Sequence, residues 1–353
     1  MSTRVPHSRN AICLCADSRM MIPAMFVAHS VLSIKSQGRI AFDVIIFAEP
    51  SEVTPPQQDW MKAEGIQLRT DVDMSAFRSM FDSANRLSPA TLIRLFLPAL
   101  LKDEYDRILY LDSDLTIHDD VARIFELDLG DHAFAAVRSG VLFEKGEAQR
   151  RAAEEHFADL GMTRPYRHFN SGVLLIDIRK WIDRKITENA LEFVRTSAHK
   201  CRLVDEDALN ATIDGDFCGI SPIWNLVTQK APPQIAASHG QPVIIHHTGT
   251  NKPWRPFVRG RHLSASLYYF GLYRSFLAGT PWEGWLAAQW ARKDIMKYLE
   301  WKIANTFRSV RQRAQRAALA EELRLYTQSE TFADVIQGLS IREGGLLRLR
   351  EGS

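Results

Sequence analysis

The sequence predicts an α/β protein with a mainly parallel sheet, followed by a helical tail. Three observations carry that reading. Strand-like and helix-like stretches alternate from Ala11 to about Leu129, the apolar run Ile108-Leu109-Tyr110-Leu111 stops on Asp112-Ser113-Asp114, and after about Arg259 the pattern turns almost entirely helical. Alternation implies βαβ units. Four apolar residues in a row read as a strand buried on both faces of a sheet. The 353 residues suffice for one large α/β domain with an appendage, or for two domains.

Each element has a local reason. Ala11–Ala16 reads as a strand, Pro23–Ser36 as a helix with proline in its first turn, and Ile40–Ala48 as a second strand. Pro55–Glu64 is helical, Ile66–Arg69 a short third strand, and Ser88–Leu101 a helix capped by Ser88 with Pro89 at its first position. Residues 107–111 form the fourth strand. Beyond it, Ala133–Val137 and Val173–Ile178 read as strands, and Glu147–Leu160 and Val204–Ile213 as helices. Val243–Ile245 is a short apolar run ending at His246-His247.

Composition narrows the function. Hydrophobic residues make up 46% and charged residues 24%, as in an ordinary globular protein, and the net charge of +2 argues against a nucleic-acid partner. No apolar window is long enough to span a bilayer, and the run Ala11–Ala16 is too short for a signal peptide. Cys13, Cys15, Cys201 and Cys218 lack zinc-like spacing, so they read as reduced fillers and the expected setting is cytoplasmic.

Four segments carry chemistry. In Asp112-Ser113-Asp114, two carboxylates at i, i+2 lie at the carboxyl end of a strand, where open α/β sheets bind ligands. Held that close, they repel unless a cation sits between them, and a hard divalent ion suits their oxygens. Cys15-Ala16-Asp17-Ser18 ends the first strand, where an acid can accept from a base or ribose, or simply form a turn. Phe169-Asn170-Ser171-Gly172 leads into a strand with groups suited to sugar hydroxyls, and about thirty residues on, Asp205-Glu206-Asp207 opens a helix. In His246-His247-Thr248-Gly249-Thr250-Asn251-Lys252-Pro253-Trp254, a His, a Gly and a Lys suit a metal plus phosphate.

Taken together and in order, CAD at 15–17, the helix with Thr91 and Arg94, RILYLDSD at 107–114, FNSGVLLID at 169–177, DEDALN at 205–210 and HHTGTNKPW at 246–254 resemble glycosyltransferase family 8. The resemblance covers about Ala11 to Trp254. It implies the GT-A nucleotide-sugar-binding fold, a Rossmann-like mixed sheet flanked by helices. That catalytic domain would span residues 1–258, with a mostly helical, basic C-terminal region at 259–353. The implied activity is retaining transfer of galactose or glucose from a UDP-hexose to a glycan or glycolipid acceptor such as lipopolysaccharide core. Asp112, Asp114 and His246 would hold Mn²⁺, or Mg²⁺. His246 is preferred over His247 by its spacing from Trp254. Ala16 and Asp17 would line the uridine pocket, with Ser113 beside the ribose. Gly249 and Lys252 would meet the diphosphate, Arg94, Asn170, Ser171, Gly172 and Asp205 would bind the donor hexose, and Thr91 would belong to the UDP-sugar site. Asp205 and Glu206 are the catalytic candidates.

The chain departs from that family at Glu206, where Gln is usual, and at Ser18-Arg19-Met20 and Arg138-Ser139. A carboxylate at 206 can act as a nucleophile or as an electrostatic stabiliser. In the tail, Met296, Leu299, Ile303, Phe307 and Val310 form an apolar stripe amid Arg and Lys, with Trp282, Trp285, Trp290 and Trp301 nearby. Peripheral contact with an anionic membrane through about residues 285–316 is therefore expected, on the cytoplasmic face of the inner membrane. Two rivals remain. ILYL followed by Asp112-Ser113-Asp114-Leu115-Thr116 also fits a haloacid-dehalogenase-type phosphatase, although that motif normally sits on the first core strand. A non-catalytic nucleotide-sugar-binding protein on the same fold is the other.

Overall fold

The run Asn10–Cys15 forms strand β1 with every residue buried, and its alternation divides the protein into two layers. Ile12 and Leu14 join one apolar cluster, whereas Ala11, Cys13 and Cys15 join the other. The same parity holds in β4 (Arg107–Leu111), where Leu109 and Leu111 face the first cluster and Ile108 and Tyr110 the second. A strand buried on both faces needs this continuous hydrophobicity. The computed structural model describes residues 9–34, 40–71, 90–139, 147–227, 242–249, 252–257, 263–289, 295–300, 303, 341–342 and 345–346.

The first half is βαβ architecture. Helix α1 (Met21–Ser33) returns the chain to β2 (Asp43–Phe47), and α2 (Pro55–Ala63), closed by a capping box between Thr54 and Gln57, leads to β3 (Gln67–Arg69). Helix α3 (Ala90–Leu101) precedes β4; the expected cap Ser88 and Pro89 lie outside the described residues. Strand β1 pairs in parallel with β2 on one side and β4 on the other, which sets the carboxyl ends of β1 and β4 next to each other.

The second half departs from the expected mainly parallel sheet. After the short β5 (Leu115–Ile117) and β6 (Phe134–Arg138), helix α4 (Glu147–Asp159) leads to β7 (Phe169–Asp177), which inserts between β4 and β6 antiparallel to both. With β8 (Cys218–Gly219) at the edge, the seven strands run β3-β2-β1-β4-β7-β6-β8, a mixed sheet as the family resemblance implies. Strand β7 also begins four residues before the expected Val173. Phe169-Asn170-Ser171-Gly172 is therefore strand, and its side chains are fixed by the sheet.

Helices α5 (Ile178–Asp183), α6 (Ile186–Ser197) and α7 (Val204–Ile213) cover the same face as α3. Asn210 of α7 is fully buried and binds the backbone of Phe169 in both directions, taking its N–H at 2.8 Å and donating to its carbonyl at 2.9 Å. Leaving those buried peptide groups unpaired would cost about 1–3 kcal/mol each, so this contact fixes α7 against β7. A second sheet joins β5, β9 (Leu226–Val227) and β10 (Ile244–His246), and its register sets His246 opposite Leu115, one residue after Asp114.

Among the described residues of the tail, α8 (Leu263–Leu277) is the main element, and two short strands, Ile341–Arg342 and Gly345–Leu346, also pair there. Tyr273 of α8 stacks on Phe26 at 4.0 Å and meets Trp254 at 5.5 Å. Tyr273 and Leu277 thus belong to the same apolar cluster as β1 and α1. All four cysteines are free, and burial pushes the thiols of Cys13 and Cys15 far up, so neither is a thiolate at neutral pH.

Candidate active site

The carboxyl end of β4, the amino end of β7 and the first turn of α7 converge with β10. Asp112 follows β4 directly, and Asp114 lies in the turn before β5. One ligand atom from each of Asp112, Asp114 and His246 falls within 4.8 Å of the others. His246 Nε2 lies 3.1 Å from Asp114 Oδ1 and 3.6 Å from Asp112 Oδ2. A mixed nitrogen and carboxylate set of this size suits a divalent cation. His247 points elsewhere: it is buried with its Nε2 3.0 Å from the Thr116 hydroxyl.

Gly172 makes the convergence possible. A Cβ at this position would stand 2.4 Å from His246 Cε1 and 2.6 Å from Asp112 Oδ2. Only the absence of a side chain lets β7 run this close to His246 and Asp112. The cradle and its donor set together fit a metal ion.

Buried cations organise the carboxylates. Arg94 of α3 is 6% exposed and forks between them, with Nη2 3.0 Å from Asp112 Oδ1 and Nη1 3.2 Å from Asp205 Oδ2. Its Nη1 also donates to the carbonyl and hydroxyl oxygens of Ser171, both at 3.1 Å. The guanidinium lies 4.6 Å from the centre of the Tyr110 ring, and the Tyr110 hydroxyl donates to Asp112 Oδ1 at 2.6 Å. Lys252 pairs with Asp114 from the other side.

The charge balance is informative. Asp112, Asp114, Asp205 and Glu206 face two permanent cations, Arg94 and Lys252. Burial would raise Asp114, but His246 and Lys252 outweigh it and hold this carboxyl well below its usual range. Burial would likewise lower His246, yet Asp114 and Asp112 raise it on balance. For Asp205 burial dominates, and the carboxyl is raised in spite of Arg94. Counted as ionised, the four carboxylates outnumber Arg94 and Lys252, an excess that a divalent ion would offset; the raised Asp205 and His246 reduce it in the ion's absence.

Glu206 sits on a donor-lined floor. Its Oε2 accepts from Asn170 Nδ2 at 2.8 Å and the Ser171 N–H at 3.1 Å. Asp207, the third acid, is structural, accepting the N–H groups of Arg202 at 2.6 Å and Leu203 at 3.0 Å with His156 Nε2 3.2 Å away.

The remaining expected residues lie at the neighbouring strand ends. Ala16 is buried, and its N–H donates to the Phe47 carbonyl at 2.9 Å. One Asp17 oxygen accepts the N–H groups of Arg19 and Met20, each at 3.0 Å, so Asp17 also shapes the entry to α1. Ser113 is buried with its hydroxyl 3.4 Å from the Cys15 carbonyl, and Gly249 takes a left-handed turn at φ 65°. The Thr91 side chain lies outside the described residues. Tyr110 and Asn225 contact the candidate ligands but are absent from the sequence expectations. The only signal for Asn225 is a lone amide inside Pro222-Ile223-Trp224-Asn225-Leu226-Val227.

The pattern described as "Glycosyl transferase family 8" matches residues 11–257. "General stress protein A" of Bacillus subtilis (strain 168) is 27% identical over 225 residues, 60% of this chain and 74% of that protein. "Lipopolysaccharide 1,2-glucosyltransferase" of Escherichia coli (strain K12) is 29% identical over 204 residues, 56% of each chain. The chain thus spans little more than half the length of that glucosyltransferase. Among solved structures, the galactosyltransferase LgtC in complex with donor and acceptor sugar analogues aligns with TM-score 0.60 and 22% identity, covering 78% of this chain and 99% of that one. This last likeness concerns the fold.

Gly172→Ala should displace His246 and Asp112 while leaving every candidate ligand residue in the sequence. The expected result is a loss of Mn²⁺ affinity of about tenfold or more, measured by the electron paramagnetic resonance of free Mn²⁺, because misplacing ligand support costs about 10- to 100-fold. Wild-type affinity in a folded variant would show that the cluster is not where a metal binds.

Proposed function

The chain belongs to glycosyl transferase family 8, and on that premise we propose that it is a metal-dependent, retaining hexosyltransferase. It would move galactose or glucose from a UDP-hexose to a saccharide acceptor, of which lipopolysaccharide core or another cell-surface glycan is the favoured class. The observation that carries this reading is the juxtaposition of Asp112, Asp114 and His246 with the buried Arg94–Asp205 pair and Glu206.

In this reading Asp112, Asp114 and His246 hold Mn²⁺ or Mg²⁺, which when bound neutralises charge on the departing diphosphate. Lys252 exchanges its contact with Asp114 for a phosphate oxygen and stabilises the same developing charge. Ala16, Asp17 and Ser113 line the nucleoside end at the tips of β1 and β4, and Gly249 lets the backbone approach the diphosphate. Arg94, Asn170, Ser171, Gly172 and Asp205 surround the hexose, with Thr91 on the same helix as Arg94. Asp205 and Glu206 face the sugar as its anomeric carbon gains positive character, as carboxylates do in glycosidases. Front-face substitution, with the leaving phosphate taking the acceptor proton, needs Glu206 only as an electrostatic partner. Its engagement with Asn170 and Ser171 supports that role.

Peripheral membrane contact belongs to the same reading. In the helical residues 295–300, Tyr298 is buried and its ring centre lies 5.6 Å from that of Phe257, while Met296 and Leu299 are exposed. Ile303 is exposed as well, and Lys297 lies between them in sequence. Phe307 and Val310, the rest of the stripe, lie outside the described residues. No described helix is long and apolar enough to cross a membrane. An amphipathic face of this kind lies on a surface.

Two experiments test these readings. A screen of UDP-sugars should give UDP release that requires Mn²⁺ and disappears in Asp112→Ala. Turnover of phosphomonoesters without UDP release would instead support a phosphatase. In that assay Glu206→Gln should cost no more than about 10²–10³-fold in kcat, the scale of one lost electrostatic contact. A loss of about 10⁴-fold or more would mark Glu206 as a nucleophile. For the tail, the full chain carrying Met296→Ser, Leu299→Ser and Ile303→Ser should float less with vesicles of phosphatidylglycerol and phosphatidylethanolamine than wild type. Equal recovery would remove the membrane role of this face.

A further inference from the structure

Behind the candidate ligands two side-chain amides, Asn225 and Asn170, form a line from His246 to Glu206, and Asn225 has no role in the metal or sugar reading. His246 Nδ1 lies 2.9 Å from Asn225 Oδ1. Asn225 Nδ2 donates to Asn170 Oδ1 at 2.8 Å, and Asn170 Nδ2 donates to Glu206 Oε2 at 2.8 Å. Asn225 is 2% exposed, follows the turn Pro222–Trp224 and precedes β9, so it belongs to neither strand that carries its partners.

The direction of these bonds is over-determined. Glu206 at one end is a carboxylate, which only accepts, so the Asn170 amide must offer it nitrogen. The Gly172 N–H independently donates to Asn170 Oδ1 at 3.2 Å, fixing the same face of that amide as the acceptor. Asn170 Oδ1 then requires nitrogen from Asn225, and Asn225 is left presenting oxygen to His246. Nδ1 of His246 must therefore carry hydrogen, and Nε2 is the nitrogen turned toward Asp112 and Asp114. Ligating histidines commonly donate their second ring N–H in this way, which fixes both tautomer and orientation.

We propose that Asn225 is a positioning residue: with Asn170 it forms a one-way amide relay that carries the acceptor-only character of Glu206 to His246 and presents Nε2 for the metal. The relay joins the sugar side of the site to the metal side through neutral groups. It also gives the carboxylate at 206 a consequence besides charge. A glutamine there carries one oxygen and one nitrogen, so the polarity of the line would rest on two backbone donors, the Ser171 N–H that meets the same Oε2 at 3.1 Å and the Gly172 N–H. This inference rests on the reading of His246 as a metal ligand.

The test is Mn²⁺ affinity of the full chain without donor, again from the resonance of free Mn²⁺, with thermal unfolding as the control for folding. His246→Ala should bind weakly, which establishes the premise. Asn225→Leu should lose about 10- to 100-fold, the usual cost of removing a group that orients a ligand. Asn225→Asp still accepts from Nδ1 and should restore most of that loss. Asn170→Ala touches no candidate ligand, yet it should weaken binding in the wild-type background and have no effect with Asn225→Asp, which has no hydrogen to give it. That last comparison stands even if Asn225→Leu does not fold. Normal affinity in Asn225→Leu together with weak binding in His246→Ala overturns the relay. Equal effects of Asn170→Ala in both backgrounds overturn it too. Normal affinity in His246→Ala overturns the metal reading beneath it.

Discussion

The site depends on one buried cation. Arg94 reaches from α3 across the end of the sheet and touches Asp112 on β4, Ser171 on β7 and Asp205 on α7. Each of those contacts lies on a different element, so the guanidinium ties three elements together, beside the bond from the Asp112 N–H to the Gly172 carbonyl at 2.8 Å. A planar fork with several fixed donors can do this, and a lysine at the same place could satisfy only part of it. Removing one partner from such a cluster leaves a buried charge uncompensated, which is the costly failure of buried ion pairs.

The position of β7 follows from the same economy of charge. Because β7 runs antiparallel between β4 and β6, its first residues, not its last, lie beside the end of β4. Asn170, Ser171 and Gly172 are thereby brought under Asp112 and against the first turn of α7. Gly172 leaves room for the candidate ligands, Ser171 answers Arg94 and Glu206, and Asn170 opens the line toward Asn225. Three adjacent residues thus face three different tasks. A loop could supply the same groups but not their fixed alternation.

Much of this was legible in the sequence, and the limits are physical. The run Ile108–Leu111 ending on two acids marks both the central strand and the open end of the sheet, because burial and ligand binding leave opposite compositions side by side. Strand direction leaves no such mark, so a mixed sheet is expected only through resemblance to a family, and the antiparallel insertion of β7 is not expected. Helices Ile178–Asp183 and Ile186–Ser197 are missing from the sequence expectations. The break between them falls at Lys185, left-handed at φ 52° with no glycine to announce it. His246 could be tied to Asp112 only by family pattern, since no local periodicity links residues so far apart. Tyr110 and Asn225 were hidden for a different reason. Each looks like filler in an apolar stretch, and only the fold reveals that their polar atoms meet Asp112 and His246.

The account stands or falls on where a divalent ion sits. A crystal structure of the full chain grown with Mn²⁺ and UDP, with anomalous data at the manganese edge, examines this directly. The account predicts one peak coordinated by Asp112, Asp114 and His246 Nε2, with Lys252 released from Asp114 toward the diphosphate. A peak coordinated by other residues, or nucleotide bound at the ends of β1 and β4 with no peak beside Asp112, would contradict it.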